Sequence, residues 1–163
     1  MDSIIYYCNW IIFMVVLVFS SVSCAHKPQW QGQTELLDIA ADFYLQWDER
    51  TGEMHPVNDM DIDWMTPKDK GYVTESTIGF WVCGTMTIRI DRDAWAMLDG
   101  YEKEQLVFHE LGHFIFMRDH DTDTFTCYEM RGGCPYSLMY PEMIPSAVYR
   151  KHHELYMTDL FGG

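Results

Sequence analysis

Apolar side chains recur at a spacing of three and four residues from Thr34 onward, which is typical of a helix with one buried face. The repeating apolar positions are Leu36, Leu37, Ala40, Phe43, Tyr44 and Trp47. The pattern therefore predicts a first helix in this region. Residues 25 to 33, which precede it, are polar and lack such a period, and we interpret them as a tether.

Two further helical runs are predicted in the second half of the chain. One begins after Asp99, which matches a capping box together with Glu102, and extends to about Met117. The other begins at Ser146, the expected N-cap, and runs to about Leu160.

Two strands are predicted between the first and second helices. Residues 77 to 83 are dense in aromatic and branched side chains, and residues 85 to 91 alternate between apolar and polar, with Gly84 as a turn or bulge between them. Residues 50 to 71 are rich in Asp, Pro and Gly, which indicates a long loop with room for a short element. Residues 118 to 133 are polar and irregular. The order of elements predicts an α+β domain with a small mixed sheet.

The N-terminal 24 residues have the character of an export signal. An apolar run that begins at Trp10 is too short to cross a bilayer but suits a signal peptide. Residues 21 to 24 end this run with small side chains before a cysteine and resemble a bacterial lipobox. We expect an exported domain, residues 34 to 163, anchored to the cell envelope through acylated Cys24. A plain secretory signal and an uncleaved anchor are the alternatives.

The charge of the chain bears on its partners. Asp and Glu number 25 against 11 Lys and Arg, for a net charge of −14. Nucleic-acid binding draws its affinity from clustered basic side chains, so this balance excludes a nucleic-acid partner. We interpret the acidic residues as a solvated surface that keeps the protein soluble.

The five cysteines fall into two groups. Cys8 and Cys24 belong to the predicted signal, which leaves Cys83, Cys127 and Cys134. Cys127 and Cys134 enclose a short loop with two glycines and can form a disulfide in an oxidising compartment. Zinc ligation by this pair is the alternative, although its spacing is wider than in structural zinc sites. The state of Cys83 stays open.

Residues 109 to 113 read His-Glu-Leu-Gly-His within the second predicted helix. On a helix, His109 and His113 project from the same face on successive turns, where both can reach one metal ion. Glu110 is rotated by about 100° and can instead reach a water held by that metal. Zinc lowers the pKa of such a water to about 7, so Glu110 can act first as a general base and then as the acid that protonates the leaving amine.

A catalytic zinc takes three protein ligands, and we expect the third just after the helix. The motif resembles that of the metzincin clan, His-Glu-x-x-His-x-x-Gly-x-x-His, but Phe116 stands where the family has its helix-breaking glycine. Asp119 occupies the position of the family's third ligand. Without the glycine we expect the helix to continue slightly further, which makes His120 the expected third ligand and Asp119 the alternative.

The segment Ser137-Leu138-Met139-Tyr140-Pro141 resembles the metzincin Met-turn, which lies beneath the zinc as an apolar floor. The resemblance implies this role for Met139. It also suggests that Tyr140 stabilises the tetrahedral oxyanion, although the family's tyrosine stands two residues after the methionine and Tyr140 follows it directly.

A second resemblance, to small exported lipoprotein metallopeptidases of Bacteroidetes-type bacteria, covers roughly residues 80 to 160. Its matching pieces are Ile90-Asp91, Trp95, the His-Glu-Leu-Gly-His helix, Arg118 to His120 and Ser137 to Met139. It implies a zincin fold and proteolysis.

The sequence therefore predicts a zincin-like α+β zinc metalloendopeptidase whose sheet packs on the motif helix, followed by a C-terminal helix. One zinc ion is held by His109, His113 and His120, and the substrate is a peptide or protein. A metal-binding envelope lipoprotein without turnover and a zinc amidase acting on cell-wall peptides are the alternatives. We expect a monomer.

Overall fold

Alternating helices and short strands make up the protein in the computed structural model, which describes residues 30–52, 60–71, 73, 77–82 and 87–162. In chain order, the elements are β1 (Trp30–Gly32), α1 (Thr34–Thr51), β2 (Met60–Trp64), α2 (Pro67–Lys70), β3 (Gly79–Val82), β4 (Thr87–Ile90), α3 (Arg92–Trp95), α4 (Gly100–Phe116), β5 (Thr124–Phe125), β6 (Cys134–Pro135), α5 (Ser146–Lys151) and α6 (His153–Gly162). The α+β class and the zincin-like arrangement are as predicted. Along the part of the chain described, no helix combines the length and apolar character needed to cross a bilayer.

The main sheet has four strands in the order β1-β2-β4-β3. The first three of these are parallel, and β3 runs antiparallel to β4 at one edge. The two strands predicted between the first and second helices are confirmed as β3 and β4. Gly84 and Cys83 lie outside the described residues.

Strand β2, in the interior of the sheet, lies in the region predicted to be a long loop with room for a short element. Its buried residues, Met60 and Ile62, alternate with aspartates, and this acidic composition is typical of a loop. In the sheet, Asp61 forms an ion pair with Arg89 of β4 at 3.0 Å. The acidic residues of β2 are therefore compatible with a strand that is buried on one face.

Strand β1 begins the domain earlier than predicted, because Trp30–Gly32 lie within the segment that we interpret as a tether. Gly32 has a φ of 139°, and a Cβ there would lie 1.8 Å from the carbonyl oxygen of Ile62. Only glycine allows β1 to approach β2 this closely. Residues 1 to 29, with the predicted signal, Cys8 and Cys24, lie outside the described residues.

Helix α1 packs its predicted apolar face against α4 and α6. Phe43 is fully buried, with its ring centroid 5.1 Å from that of Phe108 and 5.0 Å from that of Phe161. Such edge-to-face aromatic pairs add stability beyond the area that they bury. The first predicted helix is confirmed, and its aromatic residues pack against α4.

Helix α4 begins with the predicted capping box. The Asp99 carboxylate accepts hydrogen bonds from the backbone N–H groups of Tyr101 and Glu102, and the Glu102 carboxylate accepts one from the Asp99 N–H. The predicted cap of the last helix was wrong. The Ser146 hydroxyl donates to Asp99 at 2.7 Å, and Pro145 is the N-cap residue.

The last helix is also divided in two, because the helical conformation is interrupted at His152 between α5 and α6. In the irregular segment after α4, β5 and β6 form a two-stranded sheet, and Cys127 and Cys134 are joined in a disulfide. Each of these strands has only two residues, which is too short to produce a sequence pattern.

Helix α4 lies close to the C-terminal part of the domain at Gly112. A Cβ at this position would lie 2.5 Å from the sulfur of Met139 and 3.2 Å from Leu160 of α6. Met139 is fully buried, so it has little room to move away. The absence of a side chain at Gly112 therefore lets the helix and the Met139 segment come into contact.

We expect Gly112→Ala to lower the free energy of unfolding by about 1–3 kcal/mol, the usual cost of overpacking a core, in chemical denaturation of the metal-free protein. Gly100→Ala, at the first residue of the same helix, is the matched control. A Cβ at Gly100 would have no atom within 4 Å, so stability should stay equal or rise slightly. Equal stability of the two variants would contradict the proposed close approach.

A second tie between α4 and the C-terminal helices is polar. The Glu104 carboxylate accepts hydrogen bonds from the Tyr149 hydroxyl and from Nε2 of His153, both at 2.9 Å. This carboxylate raises the pKa of His153 above its usual 6.5, with a smaller contribution from Glu154 and against the opposing effect of burial. The protonated form of His153 is therefore favoured in the folded protein.

Because the pKa of His153 is raised on folding, its charge stabilises the protein fully below pH 6.5, and this contribution is lost as the pH rises through the raised pKa. His153→Gln keeps a hydrogen-bond donor but not the charge. We expect wild type to exceed this variant in free energy of unfolding by roughly 1 kcal/mol at about pH 5.5, and by less at about pH 8.5. A difference that does not change with pH would contradict this assignment.

Candidate metal centre

Three imidazole rings converge at the end of α4. His109 and His113 lie on successive turns of the helix, and His120 follows in the segment after it. Their Nε2 atoms are separated by 3.1 Å, 3.2 Å and 3.3 Å. Zn–N distances of 2.0–2.1 Å at tetrahedral angles would place nitrogen ligands about 3.3 Å apart. The three nitrogens therefore fit one tetrahedral ion.

In two of these rings, the contact made by Nδ1 determines which nitrogen carries the proton. Nδ1 of His109 lies 2.9 Å from the carbonyl oxygen of Leu138, and Nδ1 of His113 contacts the carbonyl oxygen of Arg118. A carbonyl oxygen only accepts, so both Nδ1 atoms carry the proton, and both Nε2 atoms present a lone pair to the centre. Facing lone pairs repel each other unless a cation lies between them, which favours a metal ion here.

The electrostatic surroundings also suit metal binding. Burial lowers the pKa of His109 to about 4, an effect that the Leu138 carbonyl opposes and that His113 and His120 reinforce. Burial likewise lowers the pKa of His113 below 6.5. Both rings are therefore neutral at pH 7, and the neutral ring is the form that binds a metal.

The end of α4 determines which residue completes the set. The helix continues through Phe116, and Met117 then adopts the left-handed conformation with a φ of 51° and a ψ of 33°. Three positions separate Met117 from His120, as three separate the glycine from the third ligand in the metzincin pattern. Asp119 is exposed at the rim of the cleft and is not one of the converging side chains.

Glu110 lies beside the three histidines in the same cleft and is 4% exposed. Strand β3 passes close to it, since a Cβ at Gly79 would lie 2.9 Å from Oε1 of Glu110. Gly79 has no local signal in the sequence that indicates this role. Its absent side chain leaves room for the carboxylate between the helix and the edge of the sheet.

The cleft around the site has a volume of about 780 Å³. Edge strand β3 forms one wall, and the segment after Met139, including half-buried Tyr140, forms another. Met139 itself is fully buried beneath α4, where its side chain would meet a Cβ at Gly112. The structure thus brings the residues of the predicted Met-turn next to the motif helix.

Gln105, a further supporting residue that was not predicted, is 3% exposed and lies one turn before His109. Its side chain accepts a hydrogen bond from the backbone N–H of Ile144 at 2.6 Å and donates one to the carbonyl of Ile144 at 2.9 Å. These bonds fix the cleft wall to α4. A polar residue four positions before His109 on the same helical face is the signal that could have identified it.

A second group of potential ligands, Cys127, Glu129 and Cys134, is not a comparable site. The two sulfurs are bonded to each other and so are not available as thiolates. Glu129 forms an ion pair with Lys151. Among the described residues, the three histidines are therefore the set that fits a metal ion.

Comparison with known proteins agrees with this geometry. Residues 28–142 match the model of the family described as "Putative phage metallopeptidase". No curated protein and no solved structure matches the chain significantly. The family match covers more than two thirds of the 163 residues and includes the three histidines and Glu110. The expected relationship to zincin metallopeptidases is confirmed: the chain belongs to this metallopeptidase family and carries a metal-dependent peptidase domain.

Proposed function

We propose that the protein is a zinc endopeptidase in which His109, His113 and His120 hold the ion and Glu110 transfers the proton. The observation that carries this proposal is the convergence of three Nε2 atoms within 3.3 Å of one another beside a buried carboxylate. Three imidazole nitrogen donors suit zinc, whereas calcium and magnesium prefer oxygen ligands. When bound, zinc supplies Lewis acidity and lowers the pKa of a water to about 7.

The position of Glu110 supports our proposal that it acts as a general base and then as a general acid. It follows His109 directly on a rigid helix, so its carboxylate has a fixed position relative to the metal ligands. We assign it the removal of a proton from the attacking water and the delivery of that proton to the leaving amine. Tyr140, on the cleft wall, is our candidate for a hydrogen bond to the oxyanion of the tetrahedral intermediate.

Edge strand β3 supports cleavage within a chain rather than at its end. Among the described residues, β3 is an edge strand that pairs with β4, and its residues Gly79 and Phe80 line the cleft. An extended peptide can add to such an edge through backbone hydrogen bonds on both sides of the scissile bond. This mode of binding does not require a free peptide terminus.

Export and acylation of Cys24 stay proposals that rest on the N-terminal sequence. The disulfide between Cys127 and Cys134 supports them, because structural disulfides persist mainly in oxidising compartments. In such a compartment the domain would meet proteins of the envelope or of the surroundings as substrates.

Glu110→Gln tests the mechanism. We expect cleavage of casein to fall by about 10²–10⁴-fold, because the amide cannot take up the proton, while the zinc content per protein stays as in wild type. Glu102→Gln is the control: it makes the same chemical change on the same helix, and glutamine also serves in a capping box. Cleavage at the wild-type rate by the Glu110 variant would refute the mechanism.

Wild type tested on muropeptides as well as on casein also separates the alternatives. Wild type that binds zinc but cleaves neither casein nor muropeptides would favour a metal-binding envelope protein. Cleavage of muropeptides alone would favour a cell-wall amidase.

Paired variants of His120 and Asp119 test the third ligand. We expect His120→Ala to weaken zinc binding by more than about 100-fold, since loss of a ligand exceeds the 10- to 100-fold effect typical of residues that support ligands. Asp119→Ala should leave zinc affinity near that of wild type, because the Asp119 carboxylate is not among the converging ligand atoms. Competition with a chromogenic chelator measures both affinities. The opposite ranking would assign the site to Asp119.

A further inference from the structure

A carboxylate on the C-terminal helix α6 contacts both chain segments that support the metal ligands. Asp159 lies outside the residues matched by the family, and its Oδ2 accepts hydrogen bonds from the Ser137 hydroxyl at 2.6 Å and from Nη2 of Arg118 at 2.9 Å. Its backbone carbonyl accepts a third from Nη1 of Arg118 at 2.7 Å. One residue therefore joins the segment after α4 to the start of the Met-turn.

The contact with Arg118 bears on His113. The guanidinium is held at two points by Asp159, and the backbone carbonyl of the same arginine accepts the Nδ1–H of His113. Charge-assisted, two-point contacts of this kind fix orientation as well as adding energy. The position of the carbonyl, and with it the direction of the ring, is thereby tied to α6.

The contact with Ser137 bears on His109 in the same way. A carboxylate oxygen only accepts, so the single hydroxyl proton of Ser137 is directed to Asp159, and its oxygen accepts from the Met139 N–H at 3.0 Å. Ser137 is fully buried. These two bonds set the turn that places the Leu138 carbonyl 2.9 Å from Nδ1 of His109.

We propose that Asp159 is a positioning residue for the metal centre: through Ser137 and Arg118 it holds the two carbonyls that orient the ligand rings. The inference rests on the proposed function of the site. Asp159 also neutralises the charge of Arg118, which lines the cleft and would otherwise repel a cation. Its side chain is 22% exposed and that of Arg118 is 24% exposed, so water screens this pair only in part.

Asp159→Asn tests the proposal, because it removes the charge with almost no change in shape and leaves the backbone contact with Arg118 in place. We expect zinc affinity, measured by chelator competition, to fall by about 10- to 100-fold, as for other residues that support metal ligands. Ser137→Ala should reduce it as well, and the double variant should lose less than the sum of the two, because both act through one network.

Glu154→Gln is the matched control on the same helix. Glu154 also pairs with an arginine, Arg50 of α1 at 3.0 Å, but its ion pair joins α6 to α1 rather than to the ligand segments. We expect its zinc affinity to equal that of wild type. If Asp159→Asn lowers only the melting temperature and binds zinc as tightly as Glu154→Gln does, Asp159 has a merely structural role and the proposal is overturned.

A metal-independent measurement keeps this test separate from the proposed function. In ¹⁵N NMR of the metal-free protein, His109 and His113 should be Nδ1–H tautomers in wild type and mixed tautomers in the Asp159 variant. Unchanged tautomers would overturn the positioning role, whereas a wild-type protein with the expected tautomers but no peptide cleavage would refute only the peptidase.

Discussion

The contact between α4 and the segment Ser137–Met139 is the constraint on which the metal centre depends. At Gly112 the helix has no side chain, and the buried sulfur of Met139 occupies the space that a Cβ would need. The same approach brings the Leu138 carbonyl within hydrogen-bond distance of His109, one turn earlier on the helix. Gly112 thus contributes to the geometry of His109, through packing rather than through chemistry.

Burial around this contact creates a need for polar partners, which the protein meets with backbone and side-chain groups. A buried polar group without a partner costs roughly 1–3 kcal/mol. Gln105 satisfies both backbone groups of Ile144, and Ser137 uses its hydroxyl as donor and acceptor at once. The same burial keeps His109 neutral by lowering its pKa to about 4. One desolvated region therefore both fixes the cleft wall and prepares the imidazole for a metal ion.

The sequence predicted the elements whose signals are local. Helix α1 follows from its apolar period, and the start of α4 from the capping box of Asp99 and Glu102, because both patterns depend only on residues a few positions apart. Strand β2 could not be predicted, because its aspartates make a loop-like pattern and their partners, such as Arg89, are distant in sequence. The supporting role of Gln105 could not be predicted for the same reason, because its partner Ile144 is distant in sequence.

The third converging histidine is offset by one residue from the metzincin pattern, and this offset has a physical cause in the core. Phe116, which stands where the metzincin pattern has glycine, packs its ring 4.9 Å from that of Trp47 of α1. Keeping this aromatic residue in the helix moves the left-handed turn to Met117, a conformation that costs a non-glycine residue about 1–2 kcal/mol. Aromatic packing before the turn and the ion pair of Arg118 after it offset that cost. Because the turn moves by one residue, the imidazole that reaches the centre moves by one residue as well, to His120.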